Sequence, residues 1–352
     1  MKKVLLGMSG GVDSSVSALL LKQAGYEVYG VTMKLWKESS CCDYSSILDA
    51  VKVCNQIGIN HYTLDYEKLF VDKVVDDFIK CYGECKTPNP CIECNKYLKF
   101  GEMYKKAKEL GMDYIATGHY AKTEYSDKYN RYILKKAKNL KKDQSYVLYS
   151  IPKEILDKVI FPLGDFDTKD QIREIASKNK LVTATKHDSE DICFIPKGNY
   201  KEFIEKNSDI KPVEGNIVNL NGEILGKHTG LYKYTVGQRK GLGISYSEPL
   251  FVIGFNKSKN ELIVGTEKEI YKKEIFVKDL NWLLFDTIPE SLTVNVKTRY
   301  SSNEAEAEIL KIDDDSVKVV FKDPQARVTP GQSAVFYIDD IVVGGGKIAS
   351  SL

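Results

Sequence analysis

The sequence has no excess of charge of either sign and no long hydrophobic run. Its 352 residues include 51 Lys and Arg against 49 Asp and Glu, a formal net charge of +2. Nucleic-acid binding would therefore depend on local basic patches and not on a global field. No segment approaches the ~20 apolar residues of a membrane span, and the apolar N-terminal run is too short for a signal peptide. These absences predict a cytoplasmic protein without a membrane partner.

Internal repeats and low-complexity tracts are also missing, and the length predicts two or three globular domains. From residue 2 to about 197, strand-like and helix-like segments alternate, which predicts an α/β domain with a mostly parallel sheet. Gly25, Gly58 and Gly111 each follow a helical pattern, where a left-handed C-cap is expected. Strands are expected at 2–7, 26–33, 61–65, 113–117 and 131–135. Helices are expected at 14–24, 45–57, 67–82, 95–110, 152–158 and 168–179.

The last third of the chain changes its pattern. From about residue 273 the hydrophobic residues alternate with period two in several short runs. Such runs predict a small antiparallel β-barrel. The expected domains are 1–197, 198–272 (a small central domain) and 273–352.

Residues 7–15, Gly-Met-Ser-Gly-Gly-Val-Asp-Ser-Ser, follow an apolar strand pattern and precede a helical one. Gly10 and Gly11 let backbone N–H groups crowd together, and a helix N-terminus favours anions. Ser9 and Ser14 add hydroxyl donors. The run therefore predicts a phosphate cradle, and the alternative of an inert Gly-Ser turn does not explain its strand–helix context.

The cradle is not a Walker A loop, because it lacks the Gly-Lys-[Ser/Thr] ending and has Asp13 where a lysine would neutralise charge. A carboxylate beside phosphate is reasonable if Mg²⁺ bridges them. The loop resembles the Ser-Gly-Gly-x-Asp-Ser signature of the PP-loop ATP pyrophosphatases. This resemblance implies an adenine nucleotide alpha hydrolase-like fold that cleaves ATP between the α and β phosphates.

Eight cysteines in a chain of this class indicate metal or sulfur chemistry more than disulfides. Cys54 is expected in the core, and Cys41-Cys42 lie in a Ser-rich connection and are expected to be inert. Pro88 and Pro90 are expected to forbid regular structure, so that the segment forms a stiff loop.

Cys94 is then expected at the entrance of a helix, with Asn95 as a possible cap. There the helix N-terminus and Lys96 would lower the pKa of its thiol. Cys193 lies in a strand-like run and, taken alone, would more often be a buried hydrophobe.

Nine motifs together resemble the tRNA-specific 2-thiouridylase family in order along essentially the whole chain. They are residues 7–15, Met33-Lys-Leu-Trp36, Thr87-Pro-Asn-Pro90 with Cys94-Asn95-Lys96, Thr117-Gly-His-Tyr120, Lys142-Asp-Gln-Ser-Tyr146, Asp188 with Ile192-Cys-Phe194, Gly237-Gln-Arg-Lys-Gly-Leu242, Lys297-Thr-Arg-Tyr300 and Thr329-Pro-Gly-Gln-Ser-Ala-Val-Phe336.

The resemblance implies an ATP-dependent enzyme that replaces the C2 oxygen of the wobble uridine of certain tRNAs with sulfur. It implies Cys94 as nucleophile and Cys193 as persulfide carrier. The implied ATP site is Gly7, Met8, Ser9, Gly10, Gly11, Val12, Asp13, Ser14, Met33 and Gly118. Asn89, Pro90 and Cys91 would line the target base. The implied tRNA contacts are His119, Lys142, Asp143, Gln144, Arg299, Tyr300 and Gln332.

A flipped wobble base would suit a pocket built from stiff Pro-Asn-Pro backbone. A run of lysines could hold RNA phosphates, although a solvated face explains it about as well. The run consists of Lys135, Lys136, Lys138, Lys141 and Lys142. The sulfur donor, a cysteine desulfurase or a sulfur relay protein, stays open.

Cys91 departs from the family pattern, which commonly has an aspartate there. In the persulfide-relay hypothesis, Cys193 carries the sulfur, Cys94 assists, and the Cys91 thiolate replaces that aspartate as a base. Alternatively, Cys91, Cys94 and Cys193 could ligate a [4Fe–4S] cluster with one open iron position. A zinc site that uses Cys81 and Cys85 with Cys91 and Cys94 is a weaker alternative. The third cysteine at ligand spacing favours the cluster.

Two other functions remain open from the sequence. One is a PP-loop enzyme that amidates or ligates a small molecule, although no glutaminase-like domain is apparent. The other is a tRNA-binding protein without catalytic activity, against which the intact Asp13 and Ser14 argue. ATP–pyrophosphate exchange that depends on tRNA would separate these readings.

Overall fold

The computed structural model describes residues 1–36, 44–186, 192–195 and 198–351. Cys41, Cys42 and Asp188 lie outside these residues. The chain divides into two compact units. The first consists of Met1–Val75, Pro90–Gly198 and Asp340–Val342, and the second of Asp76–Asn89, Asn199–Asp339 and Val343–Leu352. The three-domain boundaries expected from the sequence stay a prediction.

A five-stranded parallel sheet forms the centre of the first unit, in the order β3-β2-β1-β4-β7. The apolar run at the N-terminus becomes the central strand, and Val4, Leu5 and Leu6 are fully buried there. The α/β class expected from the alternation is confirmed. The strands of this unit are β1 (Lys3–Gly7), β2 (Glu27–Lys34), β3 (Asn60–Asp65), β4 (Tyr114–Thr117), β5 (Ala121–Ser126), β6 (Arg131–Lys136) and β7 (Val159–Ile160).

Eight α-helical segments are present in the described part of the chain. They are α1 (Val12–Gln23), α2 (Tyr44–Ile57), α3 (Glu67–Phe70), α4 (Asp76–Gly83), α5 (Pro90–Cys94), α6 (Met103–Glu109), α7 (Lys169–Lys178) and α8 (Tyr200–Asn207). Val71–Val75 and Asn95–Glu102 are π-helical, whereas Ser145–Leu148, Lys153–Lys158, Leu231–Lys233 and Glu267–Ile270 are 3₁₀ turns. Searched over the described residues, the helices include none long and apolar enough to cross a membrane.

The helix ends and one strand test the local predictions. Gly25, Gly58 and Gly111 have φ values of 85°, 66° and 66°, so the expected left-handed C-caps are confirmed. The strand expected at 131–135 exists as β6, but it pairs antiparallel with β5 and not with the parallel sheet. The intervening turn is too short for the crossover that parallel strands need.

The second unit contains a four-stranded sheet and a barrel. The sheet has the order β10-β11-β8-β9, and the barrel strands run β12-β15-β14-β13-β16-β17 with a closing β12–β17 pair. The antiparallel barrel expected from the period-two runs is confirmed. These strands are β8 (Gly215–Val218), β9 (Ile224–His228), β10 (Phe251–Asn256), β11 (Glu261–Gly265), β12 (Tyr271–Trp282), β13 (Ser291–Lys297), β14 (Ala305–Lys311), β15 (Ser316–Ala326), β16 (Ser333–Ile338) and β17 (Ile341–Ser351).

Candidate active site

A cavity of about 310 Å³ lies in the first unit, where β1, β2 and β4 end. Ligands of open parallel sheets bind at this edge, because the loops after the strands leave a crevice there. The cavity brings together the phosphate loop, the end of β4 and all three cysteines of the predicted site. Its lining includes Gly7, Met8, Ser9, Asp13, Ser14, Met33, Pro90, Cys91, Cys94, Lys99, Gly118, His119, Gln144 and Cys193.

Two glycines make the phosphate loop possible. Gly10 has a φ of +69°, and a side chain there would overlap the backbone carbonyl of Ser46. A Cβ at Gly118 would lie 2.9 Å from the backbone nitrogen of Ser14. The loop after β4 therefore passes close against the start of α1, and neither position accepts a larger residue without displacement of backbone.

The serines of the loop hold its shape. Ser14 is buried, and its Oγ donates to the carbonyl of Gly11 at 3.1 Å while it accepts from the backbone N–H of Ser9 at 3.2 Å. Ser15 also donates to the carbonyl of Gly11, at 2.8 Å. The loop is thus fixed by its own hydroxyl groups before a ligand binds.

Asp13 is neutralised by a lysine that the sequence reasoning missed. The ammonium of Lys169 donates to both carboxylate oxygens at 2.6 Å, and the hydroxyl of Tyr120 donates to Oδ1 at 2.7 Å. Lys169 is the first residue of α7, where the helix dipole disfavours a positive charge. That local conflict is the signal in the sequence that could have identified this residue.

The expectation of an irregular Pro-rich loop is confirmed for residues 86–89 and wrong from Pro90 onward. Pro90 begins α5, because a proline is favoured in the first helical turn, where its missing N–H has no partner to lose. Cys94 is the fifth residue of a helical run that continues without a break from Pro90 to Glu109, so it lies past the first turn and not at a helix entrance. Asn95 does not cap a helix; its side-chain amide donates to the carbonyl of Val147 at 2.8 Å. The argument for a thiolate stabilised by a helix N-terminus at Cys94 therefore fails.

The π-helical segment after Cys94 decides which lysine faces the cavity. Residues five apart share a face of a π-helix, and Lys99 follows Cys94 by five positions. Lys99 lines the cavity, whereas Lys96, expected beside the thiol, is exposed and lies 5.3 Å from the ring of Tyr97. Lys99 is thus a second residue that the sequence reasoning missed.

His119 occupies the cavity wall as a neutral imidazole. Burial, assisted by the positive charge of Lys99, lowers its pKa well below the usual value of 6.5. Its Nδ1 lies 2.8 Å from the hydroxyl of Thr117, which fixes the orientation of the ring. A neutral ring has one N–H donor and one nitrogen acceptor for hydrogen bonds, but it supplies no positive charge to a phosphate.

Cys91 is exposed, Cys193 is half-buried and Cys94 is buried, yet all three line the same cavity. No three His, Cys, Asp or Glu side chains in the described ranges, these three cysteines included, lie close enough to hold a metal ion. As they lie, they do not form a cluster site.

Cys81 and Cys85, two of the four cysteines of the alternative zinc site, belong to the second unit. Burial raises the pKa of Cys81 to about 11, and Cys85 packs against the apolar cluster around Leu231 and Val252. Cys54 is fully buried with its pKa raised to about 12, so its expected place in the core is confirmed. These thiols are protonated and therefore poor ligands and nucleophiles at neutral pH.

Three consecutive residues expected to contact tRNA, Lys142, Asp143 and Gln144, lie in the first unit, and one of them reaches its cavity. Gln144 lines it and accepts from the backbone N–H of Tyr120 at 2.9 Å. Asp143 is buried and accepts from the backbone N–H of Ala137 and the hydroxyl of Ser145, at 2.9 and 2.6 Å. Lys142 is exposed. Asp143 thus shapes the loop that presents Lys142 and Gln144.

The lysine run of residues 135–142 is partly engaged in ion pairs. Lys135 contacts Glu124 and Asp340 at 2.9 and 3.0 Å, and Lys138 contacts Asp167 at 3.0 Å. Such pairs on the surface contribute little to stability. Lys141 and Lys142 are exposed.

The remaining expected tRNA contacts lie in the second unit. Arg299 donates through Nη2 to the carbonyl of Val236 at 2.9 Å and to the hydroxyl of Thr329. Tyr300, beside it, is 44% exposed. Gln332 donates to two backbone carbonyls of the segment before the cysteine helix. Their contacts with tRNA stay predictions.

Family models match three successive parts of the chain. A tRNA methyl transferase HUP domain matches residues 2–197, a tRNA methyl transferase PRC-barrel domain residues 201–266, and an aminomethyltransferase β-barrel domain residues 272–348. Together they match well over half of the sequence.

Curated relatives extend over the full length. The tRNA-specific 2-thiouridylase MnmA of Clostridioides difficile is 48% identical over 100% of this chain and 99% of its own, and that of Clostridium beijerinckii is 46% identical over 99% of each. A solved structure, "U34-tRNA thiolase NcsA from Methanococcus maripaludis with its [4Fe-4S] cluster", is 19% identical, covers 58% of this chain and 65% of its own, and has a TM-score of 0.36, too low to support an argument. On its full-length relatives, the chain belongs to the tRNA-specific 2-thiouridylase family.

Proposed function

We propose that this protein is an ATP-dependent tRNA 2-thiouridylase, which replaces the C2 oxygen of a wobble uridine with sulfur and releases AMP and pyrophosphate. The observation that carries the proposal is the shared cavity. It is lined by a phosphate loop of the PP-loop type and by Cys94 and Cys193. Adenylation acts on the C2 oxygen and sulfur attacks the C2 carbon to which that oxygen is bonded, so one cavity must serve both steps.

The first step activates the base. The C2 oxygen of the uridine attacks the α-phosphorus of ATP, the bond to the β-phosphate breaks, and pyrophosphate leaves. Gly7 to Ser14, Met33 and Gly118 would hold the nucleotide, with the phosphates at the start of α1. Mg²⁺ would neutralise the phosphates beside Asp13, and Lys169 is placed to add a second positive charge.

The second step delivers sulfur. The terminal sulfur of a Cys193 persulfide attacks C2, and AMP departs with the original oxygen. The Cys94 thiolate then attacks the Cys193 sulfur, which frees the 2-thiouridine and leaves a Cys94–Cys193 disulfide. A cellular thiol reduces that disulfide, and a cysteine desulfurase or a sulfur relay protein renews the persulfide. Asn89, Pro90 and Cys91 would border the flipped base.

A [4Fe–4S] cluster would be a second route to the same product: Cys91, Cys94 and Cys193 would hold it, and it would supply the sulfur in place of a persulfide. Thiolates are the right donors for it. The three cysteines, however, do not form a metal-binding group as they lie in the described part of the chain.

The deciding experiment incubates the protein with ATP, Mg²⁺, a persulfide donor and wobble-uridine tRNA, and measures 2-thiouridine by mass spectrometry. ATP–pyrophosphate exchange that requires tRNA is measured in parallel. Cys193→Ser should abolish thiolation and retain exchange, whereas Cys54→Ser, a change at a buried thiol outside the cavity, should retain both. If the product is absent with every donor, the proposal is wrong.

The same assay tests methyl transfer, which the descriptions of two family models mention. S-adenosylmethionine replaces ATP and the persulfide donor, and methylated nucleosides are measured. We expect none, because the cavity combines a phosphate loop with cysteines and the full-length relatives are named thiouridylases.

A further inference from the structure

A loop of the barrel holds the segment that leads into the cysteine helix. The backbone N–H of Thr87 donates to the carbonyl of Pro330 at 2.9 Å. The side-chain amide of Gln332 donates to the carbonyls of Thr87 and Pro88, at 2.9 and 3.0 Å. Three hydrogen bonds thus join two stretches of chain that are more than 240 residues apart in the sequence.

The loop itself is built for close approach. Gly331 has a φ of +90°, and a Cβ there would lie 2.9 Å from both the Cβ of Lys86 and the backbone nitrogen of Thr87. Its own N–H donates to the carbonyl of Ile348, whose N–H donates back to the carbonyl of Gln332, at 2.9 and 2.8 Å. The loop is therefore anchored to β17 on one side and packed against Lys86 and Thr87 on the other.

Both amide protons of Gln332 are used in this contact. A glutamine side chain has two N–H donors, and two carbonyl acceptors require both. A bond from this amide to an RNA phosphate would have to break one of them. The geometry thus suits Gln332 to hold the protein segment better than to hold RNA.

The held segment continues directly into the chemistry. Pro88 is buried, and two residues later Pro90 begins the helix that contains Cys91 and Cys94. The position of Pro88 therefore constrains where α5 starts. A slack segment would allow the helix start to fray, since Pro90 has no N–H with which to anchor it.

We propose that Gln332 is a positioning residue, through which the barrel fixes the start of the cysteine helix. The barrel loop Thr329–Gln332 and the segment Lys86–Asn89 then act as one clamp within the second unit. The kinetic part of this inference rests on the proposed function, whereas the clamp itself does not.

The first test measures the clamp without any enzymatic activity. Trypsin cleaves after Lys86 only if the segment leaves its place, and the fragments are identified by mass spectrometry. Gln332→Met keeps the length of the side chain and removes both donors. We expect cleavage after Lys86 to accelerate about tenfold or more, since two hydrogen bonds are lost.

The matched control is Gln325→Met. Gln325 lies on the same barrel, and its amide donates to a carbonyl of its own strand, that of Asp323, at 2.8 Å. Cleavage after Lys86 should be unchanged in this variant. Equal cleavage rates in wild type and Gln332→Met, both with the wild-type melting temperature, would overturn the clamp.

The second test separates positioning from RNA contact. A positioning role predicts that Gln332→Met lowers kcat for thiolation about tenfold and leaves the Kd for tRNA unchanged. A direct RNA contact predicts the reverse, a weaker Kd with normal kcat at saturating tRNA, and that result would refute the proposal. If wild type itself forms no 2-thiouridine, the proposed function fails while the proteolysis result still judges the clamp.

Discussion

The contribution of the ion pair between Asp13 and Lys169 to the free energy of unfolding can be predicted from its geometry. The Lys169 side chain is 12% exposed and that of Asp13 29% exposed, and the ammonium reaches both oxygens at 2.6 Å. A charge-assisted hydrogen bond in such a setting contributes about 1.5–3 kcal/mol to stability. Asp13→Asn or Lys169→Met should each cost about this much, which lowers the melting temperature of a unit of this size by about 3–10 °C.

The double variant Asp13→Asn/Lys169→Met should be more stable than the sum of the two losses predicts, by about 1–2 kcal/mol, because the second change removes a charge that the first left unpaired. Thermal unfolding followed by circular dichroism measures all four proteins. Activity should behave differently, because ATP–pyrophosphate exchange needs both groups at the phosphates. We expect exchange to fall about 10²–10³-fold in each single variant and not to recover in the double one.

Two results would refute this reasoning. Strict additivity of the stability losses would mean that the pair does not interact in solution. Normal exchange in Lys169→Met would mean that the lysine only balances Asp13 and never acts on the nucleotide. The matched control is Lys178→Met, which removes a lysine from the last turn of the same helix, where it pairs with Glu174 on the surface.

Three further changes test other parts of the site. Gly118→Ala should abolish ATP–pyrophosphate exchange while tRNA binding persists, since the new Cβ displaces the start of α1. Exchange at the wild-type rate would contradict the close approach of Gly118 to Ser14. Acidification below pH 6.5 should lower the free energy of unfolding of the wild type by up to about 1.4 kcal/mol per pH unit, because His119 binds a proton in the unfolded chain but not in the folded one. In denaturant titrations between pH 7 and 5, His119→Gln should lose less stability than the wild type. Under the persulfide route, Cys91→Asp should retain thiolation without iron. Anaerobic metal analysis beside the thiolation assay measures both properties, and loss of iron and activity together would establish the cluster route instead.

Local patterns predicted much of the fold because each depends on neighbouring residues. The buried run at β1, the glycines that end three helices and the alternation in the barrel are all determined by periodicity and by backbone conformation. The strand at β6 was also predicted, but its partner was not, since pairing depends on the length of the preceding turn and on what else the sheet can bury.

The site was predictable only where its residues are contiguous. The phosphate loop is one run of sequence, whereas Lys169 reaches Asp13 from 156 positions away and carries no local motif. Lys99 was missed because a π-helical segment changes which residues share a face, and an α-helical period places Lys99 elsewhere. Pro90 was misjudged because a proline that breaks a helix interior also begins a helix well.

The placement of α4 limits how this protein can be taken apart. The chain passes between the two units at five points, after residues 75, 89, 198, 339 and 342. In the second unit, Phe78 and Tyr82 of α4 pack against Phe203 and Tyr200 of α8, with ring centroids 6.3 and 4.6 Å apart. A fragment that ends near residue 198 would keep α4 and lose its partners, so that an aromatic face meets water and favours aggregation. A single crossover near residue 198 would therefore not transfer the whole second unit, because its residues 76–89 lie upstream of that point.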